Sequence, residues 1–152
     1  MRRIAVAQMN SSENLEDNLT TFKTLAVRAA EAGACLLVLP ENCAFMGASE
    51  WDKCHIAESP GDGLIQQTLS TLARELWIVA GTVPLKAPDG RVWGSTLVFD
   101  AKGLCVARYD KIHLFDAVLS ETETYAESNT IAPGHTPVVV DTPVGCIGLS
   151  VC

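Results

Sequence analysis

The feature that most restricts the fold is the run CLLVLP at residues 35–40, which carries no polar or charged side chain. A strand with one face in water alternates apolar and polar residues, whereas an unbroken apolar run is typical of an interior strand covered on both faces. Pro40 ends such a strand because it has no backbone N–H to donate to a neighbour. The run therefore predicts a sheet with Glu41 at the carboxyl end of a central strand.

A helix and another strand are predicted upstream of this run. Residues 4–9 form a short apolar segment, and NSSENLEDN then supplies N-cap residues and first-turn acids. Gly33 follows where a C-terminal cap is expected. The pattern predicts a β-α-β unit, in which the apolar positions at helical spacing are Leu15, Leu19, Phe22, Leu25 and Ala29.

The rest of the chain predicts more strands and one more helix. A helix is expected near residues 64–76, followed by strands at WIVAGTV, STLVFD and LCVARYD, which are separated by turn sequences. Residues 112–136 show little periodicity, and two last strands are expected near PVVVD and CIGLSVC. With no repeat or linker, we expect one domain over residues 1–152. Its predicted class is α/β, with a mixed sheet and helices on at least one face.

The composition excludes several classes of partner and site. The net charge of −7 argues against nucleic acid or an anionic membrane as a partner, since no basic stripe offsets phosphate charge. The apolar stretch after the N-terminal arginines is too short for a signal peptide, and no run approaches membrane-spanning length. The six cysteines show neither C-x-x-C pairs nor zinc-ligand spacing. A reducing, cytoplasmic location and a small-molecule substrate are expected.

Three residues have neighbours suited to chemistry. Cys152 ends an apolar strand, and a nucleophilic cysteine needs a base and nearby positive charge. Glu41 follows the most hydrophobic strand, where a partly dry carboxylate is suited to act as a base. Lys111 lies among aromatic and aliphatic residues in YDKIHLFD. Each also has a structural interpretation: a core thiol, a loop acid, and a surface lysine beside Asp110.

The histidines offer a rival base. His113 is two residues from Lys111 and would share its side of an extended segment, so a Cys/His hydrolase remains an alternative. His55 and His135 lie in polar segments and are expected to be solvated. Cys43, close to Glu41, is expected to be a passive residue of the cleft or else a redox-sensitive thiol.

Four segments carry a family resemblance. LPEN, ARYDKIHLFD, ES…PG and TPVGCIGLSVC together resemble the nitrilase (carbon–nitrogen hydrolase) superfamily, in its branch of omega-amidases and deaminated-glutathione amidases. The resemblance implies that Glu41 is the general base, Lys111 the catalytic lysine and Cys152 the nucleophile. Glu127 in YAESNTIAPG matches a supporting second glutamate. The implied fold is the N-terminal half of a four-layer αββα sandwich.

The implied reaction is hydrolysis of a small amide rather than a nitrile. The sulfur of Cys152 would attack the carbonyl, Glu41 would take the thiol proton and later activate water, and Lys111 would stabilise the oxyanion. Ammonia leaves and a thioester is hydrolysed, without a metal or organic cofactor. The resemblance implies an omega-amide of a dicarboxylic acid or deaminated glutathione as substrate, and a homo-oligomer in the full-length form.

Relatives of this type continue past the cysteine with a Tyr-Asp pair and a second half. From this resemblance we expect the 152 residues to be an incomplete record or a truncated product and to be inactive when isolated, because the backbone N–H groups beyond the nucleophile help to hold the oxyanion. A non-catalytic remnant or an interaction module is the alternative.

Overall fold

The computed structural model describes residues 2–120 and 123–152. The helices are α1 (Leu15–Glu31), α2 (Asp52–Ile56) and α3 (Leu64–Leu72). The strands are β1 (Arg3–Val6), β2 (Ala34–Leu39), β3 (Trp77–Lys86), β4 (Val92–Phe99), β5 (Cys105–Asp110), β6 (Asp116–Val118), β7 (Thr124–Ala126), β8 (Val138–Thr142) and β9 (Gly145–Leu149). Among these described residues, no helix combines the length and apolar character needed to cross a membrane.

The main sheet has five strands in the order β1-β2-β3-β4-β5. The β1–β2 and β2–β3 pairs are parallel, whereas β3–β4 and β4–β5 are antiparallel. The predicted mixed sheet is therefore confirmed. Because β5 runs in the same direction as β2, the carboxyl ends of these two strands lie at the same edge of the sheet.

The two faces of β2 pack against different partners. Leu37 and Leu39 join a core that includes Phe22 of α1 and Ile65 of α3. On the opposite face, Leu36 packs in a second cluster with residues of the β8–β9 hairpin. The interior position predicted from CLLVLP is confirmed, and the short hairpin takes the place of a helix on that face.

The first helix begins and ends as its sequence predicts. The side chain of Asn14 accepts hydrogen bonds from the backbone N–H groups of Glu16 and Asp17, at 3.0 and 3.3 Å. Gly33 follows the last turn with a φ of 73°, a left-handed conformation that glycine adopts without steric cost.

Several boundaries differ from the prediction. The helix expected over 64–76 ends at Leu72, because residues 74–76 form tighter turns in which each N–H bonds three residues back. Helix α2 was not predicted, since five residues are too few to show a helical period. The aperiodic stretch after Lys111 contains the β6–β7 hairpin.

The prediction that a buried strand runs to Cys152 is wrong. Strand β9 ends at Leu149, which pairs with Val138 at the start of β8. The preceding residue of β8 would be Pro137, which has no N–H and so cannot extend the ladder. Cys152 lies three residues beyond the strand and is exposed.

Two glycines allow close backbone approaches next to the predicted site residues. A Cβ at Gly81 in β3 would collide with the carbonyl oxygen of Leu39, just before Pro40 and Glu41. A Cβ at Gly134 would collide with the carbonyl oxygen of Asp110, just before Lys111. The obstacle is backbone in both cases, so a side chain cannot be accommodated by a rotamer change.

We therefore predict that Gly81→Ala and Gly134→Ala each lower the free energy of unfolding by about 1–3 kcal/mol, the usual cost of overpacking. Gly148→Ala is the matched control, because a Cβ there would meet no heavy atom within 4 Å. Guanidinium unfolding measures all three. Equal stabilities for Gly81→Ala and Gly148→Ala would contradict the packing argument.

Candidate active site

Glu41 is held in a turn at the end of β2. Its neighbour Asn42 has a φ of 54°, in the left-handed region that asparagine tolerates better than most residues. The N–H of Asn42 donates to the hydroxyl of Thr82 in β3 at 2.7 Å. Pro40 before it and this anchored asparagine after it fix the direction in which Glu41 leaves the sheet.

Lys111 directly follows β5 and is held by backbone bonds on both sides. Its N–H donates to the carbonyl of Gly94 at 3.0 Å, and its carbonyl accepts from the N–H of Gly134 at 2.8 Å. Only 3% of the residue is exposed. Asp110 pairs with Arg108 instead, so the alternative of a surface lysine beside Asp110 is excluded.

Glu127 comes from a different part of the chain. It starts a single 3₁₀ turn, Glu127–Asn129, directly after β7. Its carboxylate accepts a 2.7 Å hydrogen bond from the N–H of Phe115, and 13% of its side chain is exposed. The β6–β7 hairpin thus returns Glu127 to the segment that follows Lys111.

These three residues form one cluster, named here the carboxylate–lysine cluster. The Nζ atom of Lys111 lies 3.0 Å from Oε1 of Glu41 and 2.9 Å from Oε2 of Glu127. Burial of the ammonium opposes its charged form, but hydrogen bonds and charge interactions with Glu127 and Glu41 outweigh burial, and the pKa of Lys111 is raised above its ordinary value of 10.5. Lys111 is therefore a permanent cation at neutral pH.

The cluster borders a small cavity of about 20 Å³, room for about one water, named here the lysine cavity. Polar groups on its wall include Asn42, Thr82 and Lys53. Apolar contacts come from Phe45 and Trp93, among others. Charged, polar and apolar groups therefore meet at the wall of this small cavity.

Cys152 lines a second cavity, named here the cysteine cleft. Glu41 and Thr96 also line it, so Glu41 borders both cavities. Cys152 is exposed and has a φ of 75°, which non-glycine residues rarely adopt. Within the part of the chain that the structure describes, no hydrogen bond joins its thiol to Glu41 or Lys111. The structure therefore brings Cys152 to the cleft of Glu41 but not into the cluster.

The histidines and Cys43 lie outside this arrangement. His113 is exposed and lines neither cavity, although Lys111 two residues earlier is buried. His55 and His135 are exposed as predicted. Cys43 is fully buried, and burial raises the pKa of its thiol to about 12, which makes it an unreactive core residue.

Sequence reasoning missed Lys53 and Trp93 as residues of the lysine cavity. Lys53 is 9% exposed, but its flanking residues Asp52 and Cys54 give no long apolar context of the kind that drew attention to Lys111. Trp93 lies in none of the sequence motifs that pointed to the site. Over residues 2–120 and 123–152, no group of three or more His, Cys, Asp or Glu side chains could hold a metal ion.

Known proteins resemble the chain along nearly its whole length. A deaminated glutathione amidase of Yersinia enterocolitica is 38% identical over 155 residues, covering 98% of this chain and 53% of that protein. A human omega-amidase is 31% identical over 152 residues, covering 99% of this chain and 54% of that protein. The chain thus spans about half the length of the curated relatives it matches.

Solved structures agree with the fold. The NitFhit protein of C. elegans superposes with a TM-score of 0.88 at 33% identity, covering 98% of this chain and 37% of that chain. An amidase from Nesterenkonia sp., solved with acrylamide added at its active-site cysteine, gives a TM-score of 0.80 at 25% identity and covers 100% of this chain and 57% of that chain. Residues 3–152 match the carbon–nitrogen hydrolase family. The chain belongs to the carbon–nitrogen hydrolase family.

Proposed function

We propose that the protein hydrolyses the C–N bond of a small amide through a thioester on Cys152. Glu41 is the general base, Lys111 stabilises the oxyanion, and Glu127 is a positioning residue that holds Lys111. The observation that carries the proposal is the buried ammonium of Lys111 between two carboxylates, one of which also faces the cleft of Cys152. Amidase relatives and an amidase structure with a modified cysteine support it.

The charges decide which residue does what. Lys111 stays protonated at neutral pH, so it cannot accept the thiol proton and instead supplies fixed positive charge. Glu41 is the carboxylate that borders both cavities, and its side chain is 35% exposed, so it remains accessible to a thiol or a water. Glu127 also binds the N–H of Phe115, which suits a holding role.

The proposed reaction has two steps. Glu41 takes the proton of the Cys152 thiol as sulfur bonds to the amide carbon, and the tetrahedral oxyanion forms near Lys111. The proton on Glu41 passes to the amide nitrogen, the C–N bond breaks and ammonia leaves. Water then attacks the thioester while Glu41 takes its proton, and collapse releases the carboxylic acid and returns the proton to sulfur.

The position of Cys152 supports a nucleophilic role. Cys152 follows β9 by three residues and is exposed to the cleft. Of the six cysteines, it alone lines a cavity with Glu41.

The proposal also covers the substrate class, the cellular location and the assembly of the protein. We propose as substrates omega-amides of dicarboxylic acids or deaminated glutathione, as the family resemblance implies; the two curated relatives are a deaminated glutathione amidase and an omega-amidase. The six unpaired cysteines support a reducing, cytoplasmic location. Assembly of the full-length form into a homo-oligomer is proposed from the family resemblance alone.

The acid–base assignment is tested by paired substitutions in the full-length protein. Glu41→Gln keeps the shape but removes the base, and we predict that it lowers kcat by about 100-fold or more. His113→Ala is the control, and we expect kcat within about two-fold of the original. Steady-state release of ammonia measures both. Loss of activity in His113→Ala with retention in Glu41→Gln would favour the Cys/His alternative.

The role of Glu127 is tested by Glu127→Gln, which retains an acceptor for Phe115 but removes one negative charge from Lys111. We predict a roughly ten-fold or greater loss in kcat, the effect of losing one charge-assisted hydrogen bond. Glu123→Gln is the matched control, since Glu123 is an exposed acid of the same hairpin. Equal activity of the two variants would contradict the positioning role.

The same substitution predicts a pH dependence of stability. The pKa of Lys111 is raised in the folded state, so its contribution to stability is fully present below 10.5 and is lost as the pH rises through the folded pKa. The stability advantage of the original protein over Glu127→Gln should therefore be constant from neutral pH up to 10.5 and shrink above it. Urea unfolding of both proteins across this range measures the difference. A difference that grows above pH 10.5 would contradict the ion-pair account.

A further inference from the structure

The cysteine cleft contains a buried hydroxyl that the proposed reaction does not use. Thr96 in β4 is 2% exposed and lines the cleft together with Glu41 and Cys152. Within residues 2–120 and 123–152, its hydroxyl oxygen is the one buried side-chain oxygen or nitrogen that has no hydrogen-bond partner. We propose that Thr96 is a further catalytic residue, whose hydroxyl donates a hydrogen bond to the oxyanion of the tetrahedral intermediate on Cys152. This inference rests on the proposed function.

A buried hydroxyl without a partner is destabilising, because it loses its hydrogen bonds to water and gains none in the protein. Such groups are rare in folded proteins. The neighbouring hydroxyl in β4 is bonded, since Ser95 donates to the carboxylate of Asp110. Valine has nearly the shape of threonine and would fill the position of Thr96 without an unpaired polar group. A reacting group that enters the cleft is a partner that accounts for the hydroxyl.

The sheet places Thr96 on the same face as Lys111. A Cβ at Gly94 would lie 3.8 Å from the Cβ atom of Lys111. Gly94 and Thr96 share a face of the sheet because they are two residues apart in β4. The next residue on this face, Val98, packs in the cluster with the β8–β9 hairpin, which leads to Cys152. Thr96 therefore lies on the side of the sheet that carries both the lysine and the nucleophile.

The other polar side chains of the cysteine cleft are less suited to bind an oxyanion. The cleft has a volume of about 350 Å³, which is the size of a small-molecule site. An ionised Glu41 only accepts hydrogen bonds, so Thr96 and Ser150 supply the hydroxyl donors of the described lining. Ser150 is exposed to water, whereas Thr96 is buried. A donor shielded from water stabilises an oxyanion more strongly than a solvated one.

The first test is Thr96→Val in the full-length protein, with glutaramate, a five-carbon omega-amide, as the substrate. The substitution removes the donor and nearly keeps the shape. We predict that kcat falls by about 100-fold while KM stays within about three-fold, because the hydrogen bond strengthens in the transition state. Thr96→Ser keeps the hydroxyl and should retain kcat within about five-fold. Equal kcat values for Thr96→Val and the original protein would overturn the proposal.

Urea unfolding separates catalysis from a structural role. Because the hydroxyl of Thr96 has no partner, Thr96→Val should leave the midpoint of unfolding unchanged or raise it. Thr71→Val is the matched control, since it removes a hydroxyl of α3 that donates to the carbonyl of Gln67 at 2.9 Å. Its kcat should stay within about two-fold of the original. A lower midpoint together with a lower kcat in Thr96→Val would assign Thr96 a structural role and overturn the proposal.

An aldehyde adduct keeps the inference separate from the proposed function. The aldehyde that corresponds to glutaramate, 5-oxopentanoate, has no leaving group. When the thiol of Cys152 adds to it, sulfur bonds to the carbonyl carbon and the thiol proton passes to the oxygen, which gives a tetrahedral thiohemiacetal. Calorimetry measures its Kd without turnover. We expect Thr96→Val to raise this Kd by about the factor by which it lowers kcat.

The aldehyde and amide results together distinguish the two claims. Weaker aldehyde binding by Thr96→Val without amide turnover in the original protein would support the role of Thr96 and contradict the proposed function. Equal Kd values for Thr96→Val and the original protein would overturn the Thr96 proposal even if amides are hydrolysed. A protein that forms no adduct on Cys152 and hydrolyses no amide would overturn both.

Discussion

The site depends on one buried charge, the ammonium of Lys111. Transferring a charge from water into a protein interior costs several kcal/mol unless it is paired and hydrogen-bonded. Glu127 and Glu41 provide that pairing at 2.9 and 3.0 Å, and the folded state holds the lysine charged. Lys111 is 70 positions from Glu41 and 16 positions from Glu127 in the sequence. The two ion pairs therefore hold together parts of the chain that are distant in sequence.

The sheet provides the geometry for that pairing. Strands β2 and β5 run in the same direction, so the residues that follow them, Glu41 and Lys111, leave the same edge. Gly81 and Gly134 permit the close backbone contacts behind these two positions. The β6–β7 hairpin then returns the chain to place Glu127 against Lys111. Glu41, Lys111 and Glu127 are thus each positioned by a hydrogen bond of their own backbone or of the next residue's backbone.

Much of this arrangement could be predicted from local sequence. The apolar run before Pro40 identified β2 and placed Glu41 at a sheet edge, because burial on both faces leaves a clear pattern. The aromatic and aliphatic neighbours of Lys111 identified it as a candidate, but local sequence left a surface lysine beside Asp110 open, and only the structure shows that it is buried. The roles of Glu41, Lys111, Glu127 and Cys152 stay predictions, since the structure fixes where these residues lie and not what they do.

Other features could not be predicted because they arise from tertiary contacts. The end of β9 depends on Pro137 in the partner strand, and nothing in CIGLSVC itself indicates that limit. The short helix α2 and the burial of Lys53 depend on how the chain crosses the lysine cavity after β2. A lysine between Asp52 and Cys54 has the local sequence of a surface residue, so only the fold reveals it as part of the cavity.

The central claim, that Cys152 forms a covalent thioester during amide hydrolysis, is tested most directly by intact-protein and peptide mass spectrometry. The full-length protein would be mixed rapidly with a small amide and quenched in acid, which preserves thioesters. The account predicts a mass increase equal to the acyl group, located on the peptide that contains Cys152. Turnover of the amide without an acyl adduct, or with the adduct on a different cysteine, would contradict it.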